Sequence, residues 1–441
     1  MILNLEVEMK KINLIVIVLL TAIILSSCKQ LSYIPGADID NSDRNVLPTG
    51  FTYSNSSDDL PLEGQFRSDK YIDGCIYYTD VQGIVRCYDP VSNIKTYACK
   101  NPLCLHNDLS CPFYSFFESA YHDGRWYFLK SAFKNGDEYS YYSCYDPETN
   151  TEKEIGRNNT DISGGMSIAS WLIDGGYIYY YEVSCEHNDD ETEYLPTLMR
   201  MSVNTGESEK LMSFSVDGFG MGYDYLLFAN EGKIYLCEQG KGVYYIYPDG
   251  GDGYEKHFVY IADYPDFGVM LECCQLISDE LFIGDISISD SETKTLFYKV
   301  SPEGEKTMLA EIGADCAHTF FTRQYVYFVA YEGTKRLGTF IDKDGNEGDL
   351  NVKVKKIYRM DHDGNIETVF DGFPDKPPYE TCEIMNDVVV VGNYLYTQYE
   401  NYGAERKEIY YEGGDEYSNI LPGLMRLDLT TGEMIYVSGD K

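Results

Sequence analysis

Asp123-Gly124-Arg125-Trp126-Tyr127-Phe128, followed by Cys144-Tyr145-Asp146-Pro147-Glu148-Thr149-Asn150, is the stretch on which the fold turns. The first half is a tight-turn pair running into an aromatic strand. The second is the end of a strand running into a turn built on Asp, Pro, Thr and Asn. Gly, Pro, Asn and Asp supply turn conformations, and Tyr, Trp and Phe favour a pleated, half-buried strand. Read alone, the stretch is a hairpin followed by a second turn.

Both halves recur. Copies of the second half are Cys87-Tyr88-Asp89-Pro90, Arg200-Met201-Ser202, Lys299-Val300-Ser301-Pro302, Arg359-Met360-Asp361 and Arg426-Leu427-Asp428, with a weaker one at Tyr245-Ile246-Tyr247-Pro248-Asp249-Gly250. Their apolar positions are 88, 145, 201, 246, 300, 360 and 427, spaced by 57, 56, 45, 54, 60 and 67 residues. Each has an upstream partner resembling the first half, such as Asp73-Gly74-Cys75-Ile76-Tyr77-Tyr78, Asp174-Gly175-Gly176-Tyr177-Ile178-Tyr179 and Val391-Gly392-Asn393-Tyr394-Leu395-Tyr396. Residues 87, 144, 200, 299, 359 and 426 then share one strand position, next to a core position on the opposite face. Cys87 and Cys144 fall in different units, so they are not expected to pair.

Seven units of roughly 50 residues match four-stranded propeller blades better than solenoid repeats. One small sheet cannot bury both faces alone, whereas a ring of sheets buries each against its neighbours. The expected fold is all-β, a seven-bladed β-propeller of four-stranded antiparallel blades over residues 61–441. The fourth strand of each unit is expected before the upstream partner, for example at 167–173.

The N-terminus reads as an export signal. Lys10-Lys11 precede an apolar run from Ile12 to Leu25, which closes on Ser26-Ser27-Cys28. The run is shorter than the roughly 20 apolar residues of a spanning helix. Cys28 after the small pair resembles a bacterial lipobox, which implies diacylglycerol on its thiol and cleavage after residue 27. Met9 is the expected start, because residues 1–8 place two acids in a region that should be basic. Residues 28–60, polar and carrying Pro35, Pro48 and the run 54–59, are expected to be a flexible tether. The protein is thus expected on the extracytoplasmic face of the cell membrane, held by its lipid.

Of the 441 residues, removal of the first 27 leaves 414, and the formal charge stays at −37. That charge disfavours nucleic acid as a partner, since phosphate would be repelled. An envelope protein, a glycan or a small ligand is the expected partner. Catalytic motifs are wanting: the sequence has no Gly-x-Ser-x-Gly elbow, no His-Glu-x-x-His, no phosphate-binding loop and no Ser-x-Asp-x-Gly-x-x-Trp box. A carboxylate pair for glycoside cleavage needs no local motif, and 72 acids supply candidates. A non-catalytic binding or scaffold role is therefore favoured. An envelope hydrolase or lyase working at the propeller mouth, and a metal-handling lipoprotein, are the alternatives.

Two clusters invite a cation. Cys99-x4-Cys104-x-His106-x4-Cys111 brings three thiols and an imidazole within thirteen residues. That donor set suits tetrahedral Zn²⁺, and with no ligand position open the metal would be structural. A disulfide among the three thiols, or reduced unliganded cysteine, are the competing readings. Asp342, Asp344, Asn346 and Asp349 alternate along an acidic turn that offers oxygen ligands to Ca²⁺, although Gly345 sits too early for a helix–loop–helix calcium loop. The plainer reading of that segment is a polar turn. Nine further cysteines outside residue 28 and this cluster are scattered, including Cys273-Cys274, and are expected to behave as small buried hydrophobes. Cys185-Glu186-His187 is expected at an exposed loop.

The Tyr-Asp-Pro-x-Thr-Asn pattern resembles the repeats of extracytoplasmic bacterial β-propellers, including the TolB-like group. Taken with the lipobox, the segment Cys99-Lys100-Asn101-Pro102-Leu103-Cys104-Leu105-His106 and Cys111-Pro112 is similar to a set of uncharacterised propeller lipoproteins of Gram-positive anaerobes. The resemblance covers the chain after residue 28 and implies architecture and anchoring, not activity.

Overall fold

The computed structural model describes Asn45–Val46 and most of 71–438. Stretches within that span, among them 80–83, 160–170, 188–191, 214–224, 262–269, 342–346, 374–381 and 402–420, lie outside the described residues, as do Cys28, the signal segment and nearly all of the tether. The chain forms seven antiparallel sheets, each built from consecutive strands. Blade 1 spans 71–97, blade 2 116–158, blade 3 172–213, blade 4 225–261, blade 5 270–312, blade 6 316–370 and blade 7 382–438.

The registers explain the repeat. In blades 1 to 7 the pairs Ile76–Tyr88, Trp126–Tyr145, Ile178–Met201, Ile234–Ile246, Leu281–Val300, Val326–Met360 and Leu395–Leu427 face each other across the second and third strands. The seven third-strand residues are each at most 1% exposed. On the other face of the same strands, Cys87, Cys144, Arg200, Tyr245, Lys299, Arg359 and Arg426 lie opposite Tyr77, Tyr127, Tyr179, Tyr235, Phe282, Tyr327 and Tyr396. Every blade thus places an aromatic residue at the same point.

The recurring Asp shapes the turn. Asp89, Asp146, Asp361 and Asp428 each accept backbone N–H bonds from residues two to four places on. In blades 1 and 2 the turn closes on Asn93 and Asn150, both with positive φ. The preceding Tyr88 and Tyr145 hydroxyls donate to those Asn side chains. Asn tolerates the left-handed conformation because its short amide bonds locally.

The sheets close into a ring. First strands of neighbouring blades touch, Phe116–His122 with Leu172–Asp174 and Cys316–Phe321 with Cys382–Val391 among them, which puts them at the centre. Successive buried clusters join blades 1 and 2, 2 and 3, 3 and 4, 4 and 5, and 5 and 6. The largest cluster joins 6 to 7 and also 7 to 1. Burying a large side chain contributes about 1.5–3 kcal/mol, so these interfaces carry the fold.

No blade among the described strands borrows a strand from the other end of the chain to complete its four. Asn45–Val46 instead adds a fifth, outer strand to blade 7, pairing with Glu433 and Met434. The last strand is Glu433–Ser438. The described first strand of blade 3 is Leu172–Asp174, and residues 167–170 of the expected segment lie outside the described residues. Cys185-Glu186-His187 ends a strand rather than opening a loop.

Antiparallel alternation sorts the connections onto two faces. Links between first and second strands are two or three residues long, such as 123–124 and 392–393. Links between third and fourth strands are four or five residues long, except 247–256 in blade 4. At the opposite face the strand ends are farther apart in sequence, Tyr97 from Phe116, Asn158 from Leu172, Ser213 from Tyr225, Ile261 from Met270, Phe370 from Cys382 and Asn401 from Leu421, and there the hairpin of Tyr325–Ile341 with Glu347–Asp361 outruns its blade.

A candidate metal centre between blades 1 and 2

Blade 1 is small, with strands of two, five, five and four residues. The connection 98–115 that leaves it packs into the wedge toward blade 2. Cys99, Cys104, Cys111 and Phe113 are buried there with Ile72, Trp126, Phe128 and Tyr145. Phe113 meets Trp126, Phe128 and Tyr145 edge-on at 5.2, 5.1 and 5.6 Å, a geometry that aromatic quadrupoles favour.

The four sequence-predicted ligands come together. One donor atom each from Cys99, Cys104, His106 and Cys111 lies within 4.8 Å of the others, and all four residues are buried. A tetrahedral Zn²⁺ with bonds of about 2.3 Å to sulfur needs sulfurs about 3.8 Å apart. The Cys111 Sγ to His106 Nδ1 separation is 3.7 Å. The donors therefore fit a four-coordinate ion after a small contraction.

Local backbone prepares the thiols. The Cys104 N–H donates to the Asn101 carbonyl and the Cys111 N–H to that of Asp108, which folds two short knuckles. The His106 N–H donates to Cys104 Sγ at 3.4 Å. The hydrogen bond from Cys111, and one from the Asn101 N–H, outweigh burial and push the Cys99 thiol down to about 5. Cys111 is held well above its ordinary value, first by its bond to Cys99 and then by burial. Burial lowers the His106 value, keeping the imidazole neutral and able to donate a lone pair.

Blade 1 holds the imidazole. The Tyr97 and His106 rings stack at 4.0 Å and 22°. The Arg86 guanidinium lies 4.0 Å from the same Tyr97 centroid. Two groups cannot share one face at that distance, so Tyr97 is sandwiched between them. Arg86 and Tyr97 are also cross-strand partners. His106 has φ of 62°, a conformation costing on the order of 1 kcal/mol that surrounding structure must hold. Sequence spacing found the four ligands. It missed Phe113, Tyr97 and Arg86, whose roles arise from contacts across strands.

The other expected sites fare differently. Asp342, Asp344 and Asn346 lie outside the described residues. Asp349 sits in the strand Glu347–Asp361, and its carboxylate pairs with Arg336 at 2.6 Å. Cys273 and Cys274 are buried in the strand Met270–Ile277. None of the described cysteines in the propeller for which a state is assigned forms a disulfide. Among the described residues, this group of three cysteines and one histidine is the one convergence of three or more Cys, His, Asp or Glu donors. A cavity of about 200 Å³ opens between blades 5 and 6, lined by Ile277, Glu280, Phe282, Lys299 and His362, with Lys299 and Glu280 paired at 2.6 Å.

No family model matches the sequence, and no curated protein does. Solved structures similar in shape include a puromycin-hydrolysing peptidase of Mycobacterium tuberculosis, at 10% identity and a TM-score of 0.43 over 89% of this chain and 56% of that one. An acylaminoacyl peptidase of Pyrococcus horikoshii matches at 9% identity and 0.44, over 87% and 54%. TolB from Acinetobacter baumannii matches at 11% and 0.37, over 66% and 61%. The chain spans little more than half the length of these proteins.

Proposed function

We propose that this chain is a non-catalytic binding or scaffold propeller. It is held at the outer face of the membrane by a diacylglycerol on Cys28 and presents its long-loop face to an envelope protein or glycan. The observation that carries this reading is the asymmetry of the strand ends, joined by compact turns at one face and separated at the other by up to the 19 residues between Asn401 and Leu421. Binding residues gather on loops set by a rigid scaffold. The charge of −37 favours a basic or cation-bearing partner over nucleic acid.

Within that scaffold, Cys99, Cys104, His106 and Cys111 hold one structural Zn²⁺. The support is that Nδ1 of His106 faces the thiols. A disulfide among the cysteines would leave the imidazole and its Tyr97–Arg86 clamp without a task. Four protein donors leave no position for water, so the ion fastens the wedge between blades 1 and 2.

The reading is tested by cross-linking on intact cells, comparing the native chain with one whose 402–420 connection is replaced by a short Gly-Ser linker. One dominant adduct lost with that replacement is the expected result. Turnover of a glycan or peptide by the purified protein would replace this reading with the envelope hydrolase.

A further inference from the structure

Blades 3, 6 and 7 share a diagonal contact. Arg200, Arg359 and Arg426 lie over the rings of Tyr177, Tyr325 and Tyr394 at 4.7, 4.3 and 4.7 Å. In each case the tyrosine opens the second strand, and the arginine sits two residues before the end of the third. Blade 1 fills the same two places with Cys75 and Cys87. The diagonal that elsewhere holds a cation on a ring here holds two thiols, and the thiols hydrogen-bond to one another.

The surroundings separate the two sulfurs. Cys75 is part exposed and follows Gly74 directly, whereas Cys87 is 3% exposed. The Cys87 sulfur also meets the Tyr77 and Thr96 side chains, and the Lys100 ammonium is within electrostatic reach. These neighbours favour its thiolate. The bond from Cys75 dominates and brings Cys87 to about 7, and Cys75 itself is raised. One thiol is therefore reachable from solvent, and the other is a buried nucleophile touching it.

We propose that Cys75 and Cys87 are a redox-active dithiol that closes to a disulfide within blade 1 by exchange with a low-molecular-weight disulfide. Cys75 Sγ attacks one sulfur of the incoming disulfide as its proton passes to the neighbouring Cys87 thiolate, and the first thiol leaves with that proton, giving a mixed disulfide on Cys75. The Cys87 thiolate then attacks Cys75 Sγ and expels the second thiol. One disulfide is consumed and one formed, two thiols are released, and the two cysteine protons pass to the leaving sulfurs. Cross-strand diagonals lie about 7–8 Å apart between Cα atoms, beyond the roughly 4.4–6.8 Å that a disulfide spans. Closure therefore draws in the end of the strand at Cys75. Gly74, with φ of 78° and no atom within 4 Å of a Cβ built on it, leaves room for that movement.

The test uses the full chain loaded with zinc and exposed to oxidised glutathione, then alkylated and mapped by mass spectrometry. The expected product is a Cys75–Cys87 linkage, reversed by reductant, with bound zinc unchanged. In a Cys87→Ser chain the expected product is a glutathione adduct that persists on Cys75. Alkylation of both cysteines in the oxidised native chain would overturn the proposal, and so would the same persistent adduct on native and Cys87→Ser chains. Linkages confined to Cys99, Cys104 and Cys111 with loss of zinc would also overturn it, by making the metal centre the reactive group. Absence of bound zinc before oxidation would count against the metal reading alone.

Discussion

Tyr88 of the first blade and Tyr396 of the last meet with ring centroids 5.8 Å apart, tilted by 55°. Arg426 lies beside both hydroxyls. Nearby, the Lys95 ammonium donates to the Val437 carbonyl across the same junction. Each blade supplies its own four strands, so side chains rather than a shared strand close this ring. Tyr88→Ala and Tyr396→Ala should each cost about 3–5 kcal/mol. A double-mutant cycle should show a coupling of about 0.5–1.5 kcal/mol. Denaturant unfolding measures both, and strict additivity would mean that the rings do not meet.

Tyr97 should govern the metal centre without touching the ion. Tyr97→Leu removes the ring between Arg86 and His106, and metal affinity should fall about 10- to 100-fold, as with other groups that orient a ligand. Tyr97→Phe keeps the ring and should restore it. Competition with a chromophoric chelator reads the difference. Equal losses in both variants would point to the hydroxyl instead.

The blade-2 turn makes a backbone prediction. Asn150 has φ of 56° and accepts the Tyr145 hydroxyl at 2.8 Å. Asn150→Ala loses the bond and strains the backbone, for about 2 kcal/mol in all. Asn150→Gly loses only the bond and should cost about 1 kcal/mol. Thermal unfolding of the two variants should rank them in that order.

Acid should loosen the blades through their turn aspartates. Hydrogen bonds from Ser92 and the following N–H groups lower Asp89 below the ordinary carboxyl range. Burial opposes the shift at Asp361 and Asp428, but bonds from Asn365 and Thr430 and nearby N–H groups outweigh it. A carboxyl that is more acidic in the folded chain stabilises it above the unfolded value, about 3.9. That contribution is lost as pH falls through the folded values. The melting temperature should therefore hold while pH stays above about 5 and drop below about 4. Asp428→Asn should flatten that drop.

The architecture was legible because its signal repeats. Seven apolar positions, from Tyr88 to Leu427, were read from spacing, and all seven are core. Their neighbours at 87, 144, 200, 299, 359 and 426 also share one position, as expected. What stayed hidden was set across strands. The aromatic opposite each of those neighbours needs register, and so does the equivalence of Cys75 with Tyr177. The four metal-centre residues stood out because their donors are local in sequence. Phe113, Tyr97 and Arg86 carry no such mark, since ordinary core and surface strands use the same residue types. Asp349 looked like a turn acid from its alternation, but the hairpin extends far enough to pair it with Arg336.

The most direct test of the fastening between blades 1 and 2 is metal analysis of the native chain purified without oxygen, followed by replacement with Co²⁺. The native chain should hold one equivalent of zinc, lost in Cys104→Ser, and give a cobalt spectrum with sulfur-to-metal charge transfer and the strong visible bands of a tetrahedral site with three sulfur ligands and one nitrogen. A chain that folds with no bound metal, or that carries two of Cys99, Cys104 and Cys111 joined as a disulfide, would contradict that expectation.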